Sequence, residues 1–323
     1  MRVKMKKVKQ YKQWLFIRSN LIRVSAWLSL AMGITIGMVG FFIEKESFSN
    51  RQIAEYSFLT FTIGFITMSI LLFGLSHFIE QREKQKEIDR LVEQLKDADL
   101  EIVHTALKSL HHNGWLKDGS LKEAHLAKSN LQKANLVRAE LSYTNLSEAL
   151  LVEASLKQAT LFKANLQGAD LAFTSLIKAN LRGANLSEAT LLSANLSGAN
   201  LRYALLKHTN FSYANLSRAI FSHANLKNAV FTRSNLTESK FRGAALRGAK
   251  FYGANLVDAN FWGVDLTGAD FSGADLTNAI VSPDQLVLAI LDNNTILPNG
   301  KKHKQIPEVN PDSFLNLNLN VVV

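Results

Sequence analysis

The chain of 323 residues contains no cysteine and only four prolines. Without cysteine there can be no disulfide, no thiolate-bound zinc, no iron–sulfur cluster and no thiol nucleophile. So few prolines exclude a proline-rich stalk. Hydrophobic residues at 47% against charged residues at 20% exclude global disorder. Acid is missing altogether from the first 43 residues, which carry eight Lys/Arg, the last being Arg23. Most of the net charge of +10 therefore sits in one short arm, 1–23. The length suggests about two domains, and the near-zero mean hydropathy of +0.02 averages over unlike segments.

Two runs lack formal charge: 20 residues from Val24 to Ile43, and 24 from Tyr56 to Ile79. About 20 apolar residues at 1.5 Å each cross a hydrocarbon core of roughly 30 Å. The pair reads as a transmembrane hairpin over 24–79, with spans 24–43 and 56–79. The long arm, and the lack of a small-x-small cleavage site after Ile43, argue against a signal peptide. Basic residues favour the cytoplasmic side, which puts 1–23 there. Two spans return Arg82, Lys84, Lys86 and Arg90 to the same side. The expected location is the inner or plasma membrane, with both termini cytoplasmic. Each arm residue near anionic lipid would contribute on the order of 1 kcal/mol. Gly33 and Gly37 form G-x-x-x-G, with Gly40 near the same face. Small residues let helices approach closely, either within the hairpin or between two copies as a homo-oligomer. His77 reads as interfacial. The spans hold no Asp, Glu, Lys or Arg, so nothing supports a transport path.

Residues 80–114 read as a helical connector and N-terminal cap. Ile88, Leu91, Val92 and Leu95 recur at helical spacing, then Leu100, Val103, Leu107 and Leu110. Asp99 suits an N-cap and Gly114 a C-terminal stop. His111 and His112 point about 100° apart on a helix and have no carboxylate cluster beside them, so they are not assigned to a metal.

From Leu121 to Leu276 every fifth residue is Leu or Phe: 32 positions, 25 Leu and seven Phe. Two places before each, from 124 to 274, Ala stands in 24 of 31 cases. The others are Ser129, Thr144, Thr174, Thr209, Ser234, Ser239 and Val264. A helix would spray a five-residue repeat around its axis, and a flat strand would alternate its faces. The chain must therefore turn a corner every five residues, and four corners close a rung of about 20. No charge occupies either inward slot, as an interior requires. The slot before Leu/Phe is Asn fourteen times and Asp four times between 130 and 275. These side chains cap turns locally.

The triplets Ala134-Asn135-Leu136, Ala184-Asn185-Leu186 and Ala199-Asn200-Leu201 resemble the pentapeptide-repeat family, and the resemblance covers about half the chain. It implies a mainly β fold, a right-handed quadrilateral β-helix of about eight coils over 115–281. The stretch from Gly114 to Leu121, after a short helix, looks like the start of membrane-tethered bacterial members. From Phe211 onward Phe and Leu alternate, which places Phe on two opposite faces. Ser282-Pro283-Asp284 followed by Gln285 to Leu291 reads as a capping helix, within a cap-and-turn segment 282–300. Residues 301–323 read as a loose tail.

Sorting outward residues by rung separates two faces. One has no net charge and carries Leu150, Val152, Phe173, Leu192, Tyr213, Val230 and Tyr252, a candidate partner-binding stripe. The opposite face is +4, with Tyr143, Phe162, Tyr203 and Trp262. No nucleophile–base set, phosphate loop or metal spacing is present, so the chain reads as non-enzymatic, with no cofactor. Some pentapeptide-repeat proteins resemble DNA and protect gyrase, which needs an acidic rod, and this one is basic. Direct nucleic-acid binding is disfavoured by sparse basics and aromatics on the +4 face. The reading that remains is a membrane-anchored scaffold or regulatory protein offering its rod to an unknown protein partner. The alternative is a repeat protein that engages nucleic acid or a DNA enzyme.

Overall fold

The computed structural model describes residues 51–303 together with Leu30, Gly33 and Ile34, with side chains in the long helix from Leu59 onward. The basic arm, most of the first expected span, Gly37, Gly40 and the tail beyond 303 lie outside the described residues. The chain divides into two compact units, residues 1–89 and 90–323.

Helix α1, Arg51–Gln94, runs unbroken for 44 residues. It takes in the last five residues of the expected 44–55 connection, the second apolar run and the start of the connector. The part from Leu59 is long and apolar enough to cross a membrane, with a window of mean hydropathy 1.9. Three of its hydroxyls are turned back on the helix: Thr62 and Thr67 donate to Leu59 and Gly64 carbonyls at 2.9 Å, and Ser76 to Phe73 at 2.8 Å. Such back-bonding satisfies a polar group without leaving the helix. Ser69 and Ser76 are buried one heptad apart while most of their neighbours are exposed. Gly33 is helical and buried, and a Cβ there would lie 2.9 Å from the Phe65 side chain.

In the second unit, α2, Leu100–His112, begins at Asp99, whose carboxylate accepts the Glu101 N–H at 2.8 Å. Its apolar face, Val103, Ala106, Leu107 and Leu110, is buried together with Leu91 and Leu95 against the first coil of the repeat. His104 Nε2 lies 3.0 Å from the Gln132 carbonyl oxygen. The open end of the stacked coils is thus covered, which hides an otherwise unpaired edge.

The repeat forms a ladder. Parallel bridges join each residue of the Asn/Asp slot to the residue 20 further on, from His125–Asn145 to Asn260–Ile280. One coil is therefore four repeats. All 32 Leu/Phe positions are buried, as are all but one of the small residues two before them, Ala124 being partly covered. Leu116 extends the column one step earlier than the strict repeat: it is buried, and its carbonyl accepts from Glu140 at 2.7 Å.

Each corner is a four-residue turn. Ala134 N–H donates to the Leu131 carbonyl at 3.1 Å, and Lys133 between them has φ +57°. A positive φ at the third residue alone marks a type II turn. The same position is left-handed in all 32 repeats from Glu123 to Asn278, with φ between +52° and +69°. Glycine fills nine of them and a side-chain-bearing residue the other 23. A left-handed non-glycine residue costs about 1 kcal/mol. Ladder bonds on both sides of the turn hold it there.

The Asn/Asp slot completes the hydrogen bonding. Four of the five N–H groups in a repeat go to backbone carbonyls, as in Leu131, Lys133, Ala134 and Asn135's counterpart Ser155. The fifth belongs to the first corner residue and goes to the Asn or Asp side chain. Asn185 accepts it from Ser187 at 3.1 Å, and Asp270 from Ser272 at 2.9 Å. The preference for Asn/Asp answers an orphan donor, which is costly to leave unpaired.

The far end departs from the expected 282–291 helix. Helix α3 spans only Pro283–Val287, with a capping box between Ser282 and Gln285. The ladder then resumes, Ile290 pairing with Asp270 and Ile296 with Asp275. The helix takes the place of one side of the last coil. Gln285 Nε2 stands in for the missing strand, donating to Phe261 and Val264 carbonyls at 2.9 and 2.7 Å. Leu286, Ala289 and Leu291 pack on the core as its continuation. Residues 301–303 are also structured, Lys302 forming an antiparallel bridge with Ile296.

Candidate interaction surface

The Leu/Phe column and the residue two before it point inward, which leaves three outward positions per repeat. The Asn/Asp slot lies at the middle of a side, and the two turn residues project at a corner. This geometry regroups the seven stripe residues. Val152, Phe173, Leu192, Tyr213 and Tyr252 lie along one corner, and Leu150 and Val230 lie on the side leading into it. Phe173, Tyr213 and Tyr252 are 58%, 53% and 49% exposed, and Leu150 is 38% exposed. Val152, Leu192 and Val230 are half-buried between coils. The structure therefore presents one broken apolar ridge of three exposed rings along a corner.

The diagonally opposite corner carries Tyr143, Phe162, Tyr203 and Trp262. Here the rings are paired with cations. Lys163 Nζ lies 5.5 Å from the Phe162 ring centre, Arg182 lies 5.5 Å from Tyr203, and Arg242 lies 4.7 Å from Trp262. Tyr203 also stacks on His223 at 5.2 Å. Cation–π contacts of this kind hold long side chains flat along the surface. Repetition every 20 residues produces the Arg182–Tyr203, Arg242–Trp262 and Tyr203–His223 contacts, because it brings the same corner of successive coils together.

Charge is organised by the same rule. Lys128 pairs with Glu148 and Lys133 with Glu153 across adjacent coils at 3.4 and 3.8 Å. Arg218 grips Glu238 through two bonds of 3.0 Å. Those bonds hold the Glu238 carboxyl below the usual carboxylate range and the Arg218 guanidinium above its own. Asp265 is also held low, first by the Thr267 hydroxyl and then by the Thr267 N–H. At the far end Asp292 is held low, chiefly by the Gly273 N–H at 2.7 Å, with Thr295 and Asn294 adding bonds. These groups are structural locks on an exposed surface.

A cleft of about 390 Å³ lies beside α2, lined by His104, Leu107, Lys108, His111, His112, Lys133 and Asn135. Among the described residues no three His, Cys, Asp or Glu side chains converge on a common point. The corner ridge was visible in the sequence as residues spaced by about 20. Its position on a corner was not, because that depends on where the turn falls within the repeat.

The profile of pentapeptide repeats matches eight copies in the chain, over residues 120–158, 164–202, 209–248 and 244–282. Among solved structures the chain is similar to HetL, a pentapeptide repeat protein involved in heterocyst differentiation regulation from the cyanobacterium Nostoc sp. strain PCC 7120. The identity is 38%, over 56% of this chain and 81% of that one, with a TM-score of 0.29. It is also similar to QnrB1, a plasmid-mediated fluoroquinolone resistance protein, at 17% identity over 54% and 92% of the two chains, TM-score 0.25. A pentapeptide repeat protein of the Arabidopsis thaliana thylakoid lumen matches at 24% identity over 50% and 83%, TM-score 0.15. No curated protein matches. The matched profile, the unbroken five-residue register and the 20-residue ladder agree: the chain belongs to the pentapeptide-repeat family, whose right-handed β-helix it builds between Leu116 and Ile296.

Proposed function

We propose that this protein is a membrane-anchored, non-enzymatic scaffold or regulatory protein, and that its rod captures a protein partner along the apolar corner. The observation that supports this most is the row of Phe173, Tyr213 and Tyr252, three exposed rings at nearly the same position of alternate coils. Exposed rings aligned on a rigid surface offer anchor residues to a partner, since aromatic side chains dominate interface energetics. Membrane anchoring is supported by the apolar length of α1 and by the Gly33–Phe65 approach. Two spans with both termini in the cytoplasm follow from the arm's charge.

The test is crosslinking and affinity capture of the intact protein from native membranes, compared with Phe173→Glu, Leu192→Glu and Tyr213→Glu combined. These outward side chains can change without touching the Leu/Phe column. The combined variant loses the partner while its circular dichroism stays that of the parent. Undiminished capture by the variant overturns the reading. Protease added outside right-side-out vesicles leaves the rod intact if the topology holds.

A further inference from the structure

The side of the rod between the corners at 202–203 and 207–208 is bordered by two basic rows. Its middle is uncharged over three coils, Leu205, Asn225 and Ala245. One bordering corner carries Arg202 and Arg242, and the other Lys207, Lys227 and Arg247. All five are exposed. Between residues 189 and 264 the only acids are Glu238 and Asp258. Both belong to a different corner, where Arg218 already holds Glu238. Folding sets the two basic rows as rails along the two edges of one side.

Exposed rings accompany the rails. Tyr203 and Trp262 stand on the first corner, 52% and 59% exposed, each with an arginine over one ring face. Adjacent coils are about 4.8 Å apart, so Arg182 to Trp262 spans on the order of 20 Å. We propose that this side of the rod binds single-stranded nucleic acid. Paired rails suit a flexible backbone lying lengthwise, and the Trp262 ring offers a base a surface for stacking, Tyr203 being already held between Arg182 and His223. The length fits the low end of single-strand site sizes, about four nucleotides. An acidic protein would use the cations but leave the Trp262 ring unemployed.

The test uses the full chain in nanodiscs of zwitterionic lipid and a fluorescein-labelled oligothymidylate of about 12 nucleotides. Binding is read by anisotropy over a salt series. Arg202→Glu, Lys227→Glu and Arg242→Glu are combined in one variant. Lys133→Glu, Arg233→Glu and Lys250→Glu, exposed and off both corners, form a control with the same charge change. Both retain the basic arm. The rail variant binds at least about tenfold more weakly at 0.15 M salt, and its log–log salt slope is shallower by about 2. The control stays within about twofold. Equal losses in both variants, no loss in the rail variant, or no binding by the parent each overturn the proposal. So does binding confined to vesicles containing anionic lipid.

Discussion

The rings of Phe241 and Phe261 lie 4.9 Å apart and 2° from parallel, one coil above the other. Phe221 continues that column at 5.0 Å, and Phe211, Phe231, Phe251 and Phe271 form a second one at 4.8–5.0 Å. The columns meet edge to face, at 5.8–6.2 Å between ring centres. Offset stacks and edge-to-face contacts both favour aromatic pairs beyond the area they bury.

Phe241 has a stacked ring on each side and an edge contact with two more. Phe241→Ala leaves a cavity that a rigid ladder cannot collapse around, and should destabilise the rod by about 3–5 kcal/mol. Phe241→Leu, the residue of the first 18 repeats, should cost less than about 1.5 kcal/mol. Urea unfolding followed by circular dichroism compares the two. Similar midpoints for both variants contradict the packing account.

Ser239 occupies an inward slot where Ala is the rule. Its hydroxyl is buried without a hydrogen-bond partner. Thr144, Thr174 and Thr209 in the same slot donate to Leu121, Leu151 and Leu186 carbonyls at 2.8–3.0 Å. Ser239→Ala should therefore stabilise the protein by about 1 kcal/mol, whereas Thr174→Ala should not. Thermal unfolding of the two variants decides the point.

Asn185 accepts the Ser187 N–H and donates to Asn165 at 3.3 Å. Asn185→Ala should lower stability by about 1 kcal/mol and raise hydrogen exchange at the Ser187 amide. Unchanged protection at Ser187 would mean that water serves that corner equally well.

Asp292 has its carboxyl held below the ordinary range by the Gly273 N–H. A depressed folded pKa contributes stability that is present above the unfolded value, near 3.9, and lost as pH falls through the folded value. Wild type should thus exceed Asp292→Asn in stability at about pH 5 and above, and the gap should shrink below about pH 4. Chemical unfolding at pH 3, 5 and 7 measures it, and a gap independent of pH excludes the carboxylate as its source.

Most of the rod was legible in residue order. The five-residue spacing from Leu121 names the inward column, and Phe alternation from Phe211 names the stacked faces, because regular coils turn sequence period into position. Ser282 as N-cap and Pro283 as first helical residue were equally readable, since capping is local chemistry. The resumption of the ladder at Ile290 and Ile296 was not. It depends on Gln285 reaching Phe261 and Val264, more than 20 residues away in sequence.

By itself the sequence determined the 20-residue coil, the inside and the outside, and the sign of each outward position. A strict repeat leaves no other periodicity to satisfy. Only the tertiary structure decided which outward positions become neighbours. The type II turns put the x-x pair on corners, so Phe173, Tyr213 and Tyr252 form a ridge, and Arg202 and Lys207 become opposite edges of one side. Where the corner falls within five residues is a matter of backbone dihedrals, and residue spacing alone does not specify it.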